Sequence, residues 1–357
     1  MMKIEELLKE AVEKEASDVF IAVGIPPTFK VDGKLFPTSY PALTPEDTEK
    51  FAMDLFKKEE HYTYFLEHGD KDFSLSIQGI GRFRVGVYAQ RGSMSVIIRV
   101  LGFDNIQKLK VNRPKGILDL HKEQKGLILV TGPAGSGKST TIAQILDLIN
   151  RNRQCHIITI EEPIEYLFKH DRSIIEQREV GIDAKSFPHA LKASLRHAPD
   201  VIFVSDLRDR ETILEAIRAA ETGHLVISSL HTLGAVKTIE RMVDIFPASQ
   251  QNQIRYQLST VLRAVVSQQL LLNRGNQSVP AFEIMKVNQE IGAAVREDRL
   301  NDIIPLIEGG AEEGMMTMEQ SIGKLYTEGS ISKEDALKHC LRRESLSQWM
   351  KDHKQGE

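Results

Sequence analysis

Eight residues, Gly132-Pro-Ala-Gly-Ser-Gly-Lys138-Ser139, restrict the fold of this chain more than any other stretch. Glycines at this spacing, followed by Lys-Ser, let successive backbone N–H groups curl around phosphate oxygens at the N-terminus of a helix. Such a loop works only with a strand entering it and a helix leaving it. The sequence supplies both. An apolar run at 127–130 precedes the loop, and Ile142, Ile145, Leu146 and Ile149 follow at i, i+3, i+4 and i+7, one face of a helix. Gly132, Pro133, Ala134, Gly135, Ser136, Gly137 and Thr140 are therefore candidate phosphate contacts. Lys138 can reach the β- and γ-phosphates, and the Ser139 hydroxyl can ligate Mg2+. The expected ligands are ATP and Mg2+.

Beyond the loop, short apolar runs alternate with helical segments, which predicts a parallel sheet of βαβ units, an α/β fold. The runs are 127–130, 156–160, 201–204 and 225–227, and each is followed by polar residues. These are the phosphate loop, then Glu161-Glu162, then Ser205-Asp206, then Ser228, Ser229 and His231. Ligands of open α/β sheets bind outside the carboxyl ends of the strands, so these groups are expected at one edge. Past Ala235 the chain reads as mostly helix, with helix starts at Thr317–Gln320 and Ser332–Asp335.

The first hundred residues predict a smaller α+β domain. Ile4, Leu7, Leu8, Ala11 and Val12 make one helical face, and 18–23 is strand-like. Asp32-Gly33 is a type I′ hairpin signal between 29–31 and 34–36. Thr44-Pro45-Glu46-Asp47 opens a helix to about Phe56. Three alternating stretches, 73–77, 83–87 and 94–100, predict antiparallel strands. Gly102, Asn112 and Pro114 punctuate a polar segment, so the domains are set at 1–108 and 109–357.

Composition excludes several classes. Length (357 residues), 41% hydrophobic and 27% charged content fit a globular protein of about two domains. A net charge of −4 without a long basic run signals no direct nucleic-acid partner. Cys155 and Cys340 make neither a disulfide framework nor a metal site, as in a reducing cytosol. No apolar stretch approaches a membrane span, and the N-terminus is too polar for a signal peptide, so only peripheral membrane association is expected.

Hydrolysis needs a metal, a group that orients water, and positive charge for the transition state. Asp206, straight after an apolar strand, is the candidate Walker-B acid, a reading favoured over an Asp that caps the turn before Leu207. Glu161 is the candidate catalytic carboxylate and a second Mg2+ ligand. Glu165 could be functional or part of a solvated turn. His231 and His224 flank the fourth strand, where His231 could sense the γ-phosphate and His224 contact nucleotide. Arg84 and Arg99, on strands of the first domain, are candidate arginine fingers, in competition with Arg196, Arg208 and Arg210.

Taken together, these residues resemble the type II/type IV secretion ATPases, and within them the type IV pilus retraction (twitching motility) branch. Residues 17–33 are similar to the family's N-terminal opening, and Gly81-Arg-Phe-Arg-Val85 to its arginine-bearing strand. Residues 158–165 resemble its acidic box, and 222–232 its histidine box. The stretches 237–247 and 266–271 continue the likeness. The resemblance implies a PAS-like domain followed by a RecA-like P-loop motor, assembled as a homo-hexamer at the cytoplasmic face of the membrane. It further implies an inner-membrane pilus platform protein as partner, with a paralogous ATPase as a second. Assembly ATPases of the family carry a longer N-terminal region and a four-cysteine zinc motif, neither of which appears here.

Two departures bear on function. The family's Walker-B strand ends in Gly-Glu, where this chain has Ser205-Asp206. The family's retraction-linked helix keeps only Ile291, Arg296 and Glu297 of its pattern in residues 290–297. Phe20 stands where the family often has His. Hence three functions are open: a pilus-retraction motor, a weakly active or non-hydrolysing partner subunit of one, and a related assembly, secretion or DNA-uptake ATPase.

Overall fold

The computed structural model describes residues 3–56, 58–101 and 113–353. The chain divides into two compact units, Met1–Lys108 with Glu165–Leu167, and Leu109–Ile164 with Phe168–Glu357. The domain boundary read at 108/109 lies outside the described residues.

In the first unit, α1 (Ile4–Glu13) is followed by β1 (Asp18–Ile21), β2 (Thr28–Val31) and β3 (Lys34–Pro37). Then come α2 (Pro45–Leu55), α3 (Glu59–His68), β4 (Asp70–Ile77), β5 (Gly81–Gln90) and β6 (Ser93–Leu101). The strands form one antiparallel sheet in the order β3-β2-β1-β6-β5-β4, the α+β arrangement that the strand and helix patterning predicted. Asp32 and Gly33 both have positive φ, 49° and 77°, as a type I′ turn requires. Thr44 and Asp47 form a reciprocal capping box at α2. Hydrogen bonds from the Thr44 backbone and side chain hold the Asp47 carboxyl below its ordinary pKa. Helix α3 has no counterpart in the sequence reading. It buries only Phe65, so its apolar stripe is too thin to read as a period.

The second unit begins with α4 (Lys115–Leu118), β7 (Gly126–Thr131), α5 (Lys138–Asn152), β8 (His156–Glu161) and β9 (Ile174–Glu179). It continues with α6 (Phe187–Ser194), β10 (Val201–Val204), α7 (Arg210–Glu221), β11 (Leu225–Leu230), α8 (Ala235–Asp244) and α9 (Ala248–Val261). After β12 (Leu262–Leu272) and β13 (Ser278–Lys286) come α10 (Gln289–Arg296), α11 (Ile303–Gly309), α12 (Met318–Thr327), α13 (Lys333–His339) and α14 (Arg343–Asp352). The seven-stranded sheet runs β13-β12-β7-β11-β10-β8-β9, parallel except for the β12–β13 pair.

Strand alternation splits the core into two layers. Leu127 and Leu129 face one cluster together with residues of α6 to α11, while Ile128 and Val130 face another with α5. The α5 face of Ile142, Ile145, Leu146 and Ile149 is fully buried, stabilising the helix behind the loop by roughly 1.5–3 kcal/mol per side chain.

The chain beyond Ala235 is mostly helix, as expected, but it also holds two strands that the sequence reading did not give, β12 and β13, which complete the sheet. Strand β12 is buried on both faces, polar Ser267 and Gln268 included, so it shows neither a period of two nor one of 3.6. Ser228 and Ser229, expected after the fourth strand, lie within β11 instead. Their hydroxyls donate to the carbonyls of Val204 and Ser205, both at 2.6 Å, and so brace the neighbouring strand.

The C-terminal helices are tied to the sheet by a buried ionic knot. Arg342 bonds to the Glu319 carboxylate and approaches Glu283 Oε2 at 3.4 Å. Glu283 Oε1 accepts from the Ala235 backbone N–H at 2.8 Å, capping α8. Gly323 leaves room for the Trp349 ring, which a Cβ would meet at 2.2 Å.

Candidate nucleotide site

The carboxyl edge of the parallel sheet brings most of the sequence-derived candidates together. Strand β7 delivers the phosphate loop, β11 delivers His231, β10 delivers Asp206, and β8 ends on Glu161. Strand β11 lies between β7 and β10, so His231 stands between the loop and the acid.

The distances follow that order. Lys138 Nζ donates to the carbonyls of Gly132 at 2.8 Å and Pro133 at 3.0 Å, and lies 3.5 Å from His231 Nδ1. His231 Nε2 lies 3.4 Å from Asp206 Oδ2, which also accepts from Arg208 Nε at 2.7 Å. Arg208 Nη1 in turn reaches Glu162 Oε2 at 2.9 Å. The polarity of this line is fixed by chemistry. An ammonium only donates, so Nδ1 accepts, and the imidazole proton sits on Nε2 facing Asp206. Its hydrogen bond to Asp206, with the Glu162 carboxylate beyond it, holds the Arg208 guanidinium above its ordinary pKa.

Asp206 is buried while Arg208 and His231 are largely exposed, so the acid is reached from solvent through its partners. Glu161 is buried too, and its Oε1 accepts from Thr159 Oγ1 at 2.7 Å and Gln177 Nε2 at 3.1 Å. Those donors fix the orientation of the carboxylate. Ser139, in the first turn of α5, and Glu161 offer a hydroxyl and a carboxylate, oxygen donors that fit Mg2+.

The glycines of the loop are set by close approach. A Cβ at Gly132, where φ is +144°, would lie 2.1 Å from the Gln268 carbonyl oxygen. At Gly137, φ +84°, it would lie 2.8 Å from Gln268 Nε2. Sequence reasoning did not single out Gln268 as a support of the loop. Its one signal is the β-branched run Val265-Val266 in a segment that the resemblance had marked.

Other candidates are placed differently. His224 precedes β11 at the end opposite the phosphate loop, and the six-residue strand that separates it from His231 is roughly 20 Å long at about 3.3 Å per residue. Its Nδ1 faces Ala219 O at 3.0 Å and Thr222 Oγ1 at 3.1 Å. His224 therefore does not stand beside the phosphate loop of its own chain: a strand's length separates them. Arg84 and Arg99 are direct cross-strand partners on β5 and β6, both exposed. Asp72 holds Arg84 at 3.2 Å and Asp18 holds Arg99 at 3.1 Å, offsetting the repulsion of two cations side by side. Of the competing arginines, Arg208 engages the acid, whereas Arg196 and Arg210 are exposed. Glu165 is exposed as well.

A family model described as "Type II/IV secretion system protein" matches residues 1–301. This chain belongs to the type II/IV secretion system protein family. Within the family, it is 38% identical to the type IV pilus ATPase PilU of Pseudomonas aeruginosa, over 95% of this chain and 89% of PilU. It is also 38% identical to the type IV pilus retraction ATPase PilT of that organism, over 94% of this chain and 97% of PilT. Among solved structures, the pilus retraction motor PilT with bound ADP superposes with a TM-score of 0.90 at 46% identity, covering 98% of this chain and 100% of that one. The Legionella pneumophila ATPase DotB, 24% identical with a TM-score of 0.77 over 93% of this chain and 94% of that one, shares the fold.

Proposed function

We propose that this chain is an ATP-hydrolysing motor for type IV pilus retraction. In this reading it works as a homo-hexamer at the cytoplasmic face of the membrane and acts on an inner-membrane pilus platform protein. The observation that carries the proposal is the continuous line Lys138–His231–Asp206 beside Glu161, in a chain 46% identical to an ADP-bound retraction motor. Among the described residues no helix is long and apolar enough to cross a membrane, which accords with a peripheral motor.

Each side chain has a role in this reading. Lys138 sits where β- and γ-phosphate oxygens compete with two loop carbonyls for its ammonium. As Lys138 turns to phosphate, it leaves His231 Nδ1, and that imidazole edge can face the γ-phosphate. Asp206 orients the attacking water and is itself oriented by Arg208 and His231. Bound Mg2+, held by Ser139 and Glu161, would neutralise charge on the phosphate oxygens. Arg84 and Arg99 would supply transition-state charge in the assembled ring.

A second reading is a weakly hydrolysing subunit that co-assembles with a paralogue. One observation favours it: Ser205-Asp206 in place of the Gly-Glu of the family pattern. Phosphate release by the purified chain with ATP and Mg2+, alongside its native mass, separates the two. The motor reading expects steady turnover from a six-subunit ring. Turnover only after mixing with a paralogue would establish the second reading, and failure to bind ATP would overturn both.

A further inference from the structure

Behind the phosphate loop, a line of buried hydrogen bonds connects it to Arg113, at the start of the second unit. Arg113 Nε donates to Thr141 Oγ1 at 2.9 Å. Thr141 Oγ1 donates to Gln268 Oε1 at 2.7 Å, and Gln268 Nε2 donates to the Ser136 carbonyl of the loop at 2.5 Å. Thr141 and Gln268 are fully buried and Arg113 nearly so.

The direction of the line is dictated by its charged end. A guanidinium only donates, so the Thr141 oxygen must accept from it, which leaves the hydroxyl proton for the next partner. That proton requires the oxygen of the Gln268 amide, which turns the NH2 toward Ser136. The amide is thereby assigned from its neighbours, and it can only hold the loop, never repel it. The Arg113 guanidinium is in turn seated 5.4 Å over the Phe282 ring, and Phe282 is the β13 partner of Gln268. A buried arginine is costly unless its donors are used, and in a dry site each bond of the line polarises the next.

We propose that Arg113 and Thr141 are positioning residues that keep the phosphate loop in its binding shape through Gln268. Neither touches nucleotide in this account. They act on the Ser136 carbonyl between Gly135 and Gly137, the segment whose N–H groups must point at phosphate. Left without its amide, that carbonyl is free to rotate, and the following N–H rotates with it, since both belong to one planar peptide. The inference rests on the reading of residues 132–139 as a nucleotide site and adds what holds that site rigid.

Thr141→Val, which keeps the shape and removes the hydroxyl, tests the line at its middle; Thr141→Ser restores it. The measurement is the affinity of the full chain for a fluorescent ADP analogue, beside apo thermal stability. The expected result is a loss of roughly fivefold to tenfold in affinity for Thr141→Val, the worth of one buried hydrogen bond, with Thr141→Ser within about twofold of the parent. A merely structural threonine would lower apo stability in the valine variant yet leave the affinity of the folded protein unchanged, and that result overturns the proposal. Should the valine variant not fold, Arg113→Gln, which replaces the charge that sets the direction of the line, is expected to weaken ADP by a similar factor. Unchanged affinity in Arg113→Gln would likewise overturn it. Failure of the parent itself to bind ADP would instead refute the nucleotide site.

Discussion

Lys138→Ala is expected to lower ATP turnover by on the order of a hundredfold to a thousandfold, the cost of removing a charge preorganised for transition-state phosphate. The lysine is buried in the mouth of the loop, bonded to the Gly132 and Pro133 carbonyls and 3.5 Å from His231. No other cation of the line can substitute. Arg208 is committed to Asp206 and Glu162 on the far side of His231. Fluorescent-nucleotide titration with phosphate release would measure the effect. Turnover within tenfold of the parent would show that Lys138 is not the phosphate contact.

Asp206→Glu is expected to change turnover in the opposite direction. Asp206 Oδ2 is drawn back between Arg208 and His231, one methylene short of the carboxylate that the family's Gly-Glu pattern places there. That is about 1.5 Å, and displacements of about 1 Å at a catalytic group cost on the order of a hundredfold. A glutamate restores the reach, so kcat should rise by at least about tenfold while nucleotide affinity holds. A fall in kcat on the same substitution would mean that the Arg208–Asp206–His231 geometry is built around the shorter acid. The weakly active reading would then lose its physical basis.

The sequence made the loop and its acidic edge legible because both are written locally. A strand, a glycine turn and a helix are contiguous, and Glu161, Asp206 and His231 follow the apolar runs 156–160, 201–204 and 225–227 by one, two and four residues. What pairs across the sheet was not legible. That His231 comes between Lys138 and Asp206 follows from the strand order β7-β11-β10, which no single segment encodes. The same holds for Gln268, whose strand is polar and apolar without alternation because both its faces are covered. His224 shows the converse, since a whole strand in space spans its nearness in sequence to His231. Arg84 and Arg99 could be marked as strand arginines, but their pairing opposite each other depends on the β5–β6 register.

ATP turnover at residues 132–139 is expected to shorten type IV pili. Fluorescently labelled pili, imaged in cells lacking this chain and in the same cells carrying either the parent or Lys138→Ala, test it most directly. In the deletion, fibres are expected to extend but not shorten, with shortening restored by the parent and not by Lys138→Ala. Fibres absent from the deletion strain, or shortening supported equally by Lys138→Ala, would contradict it.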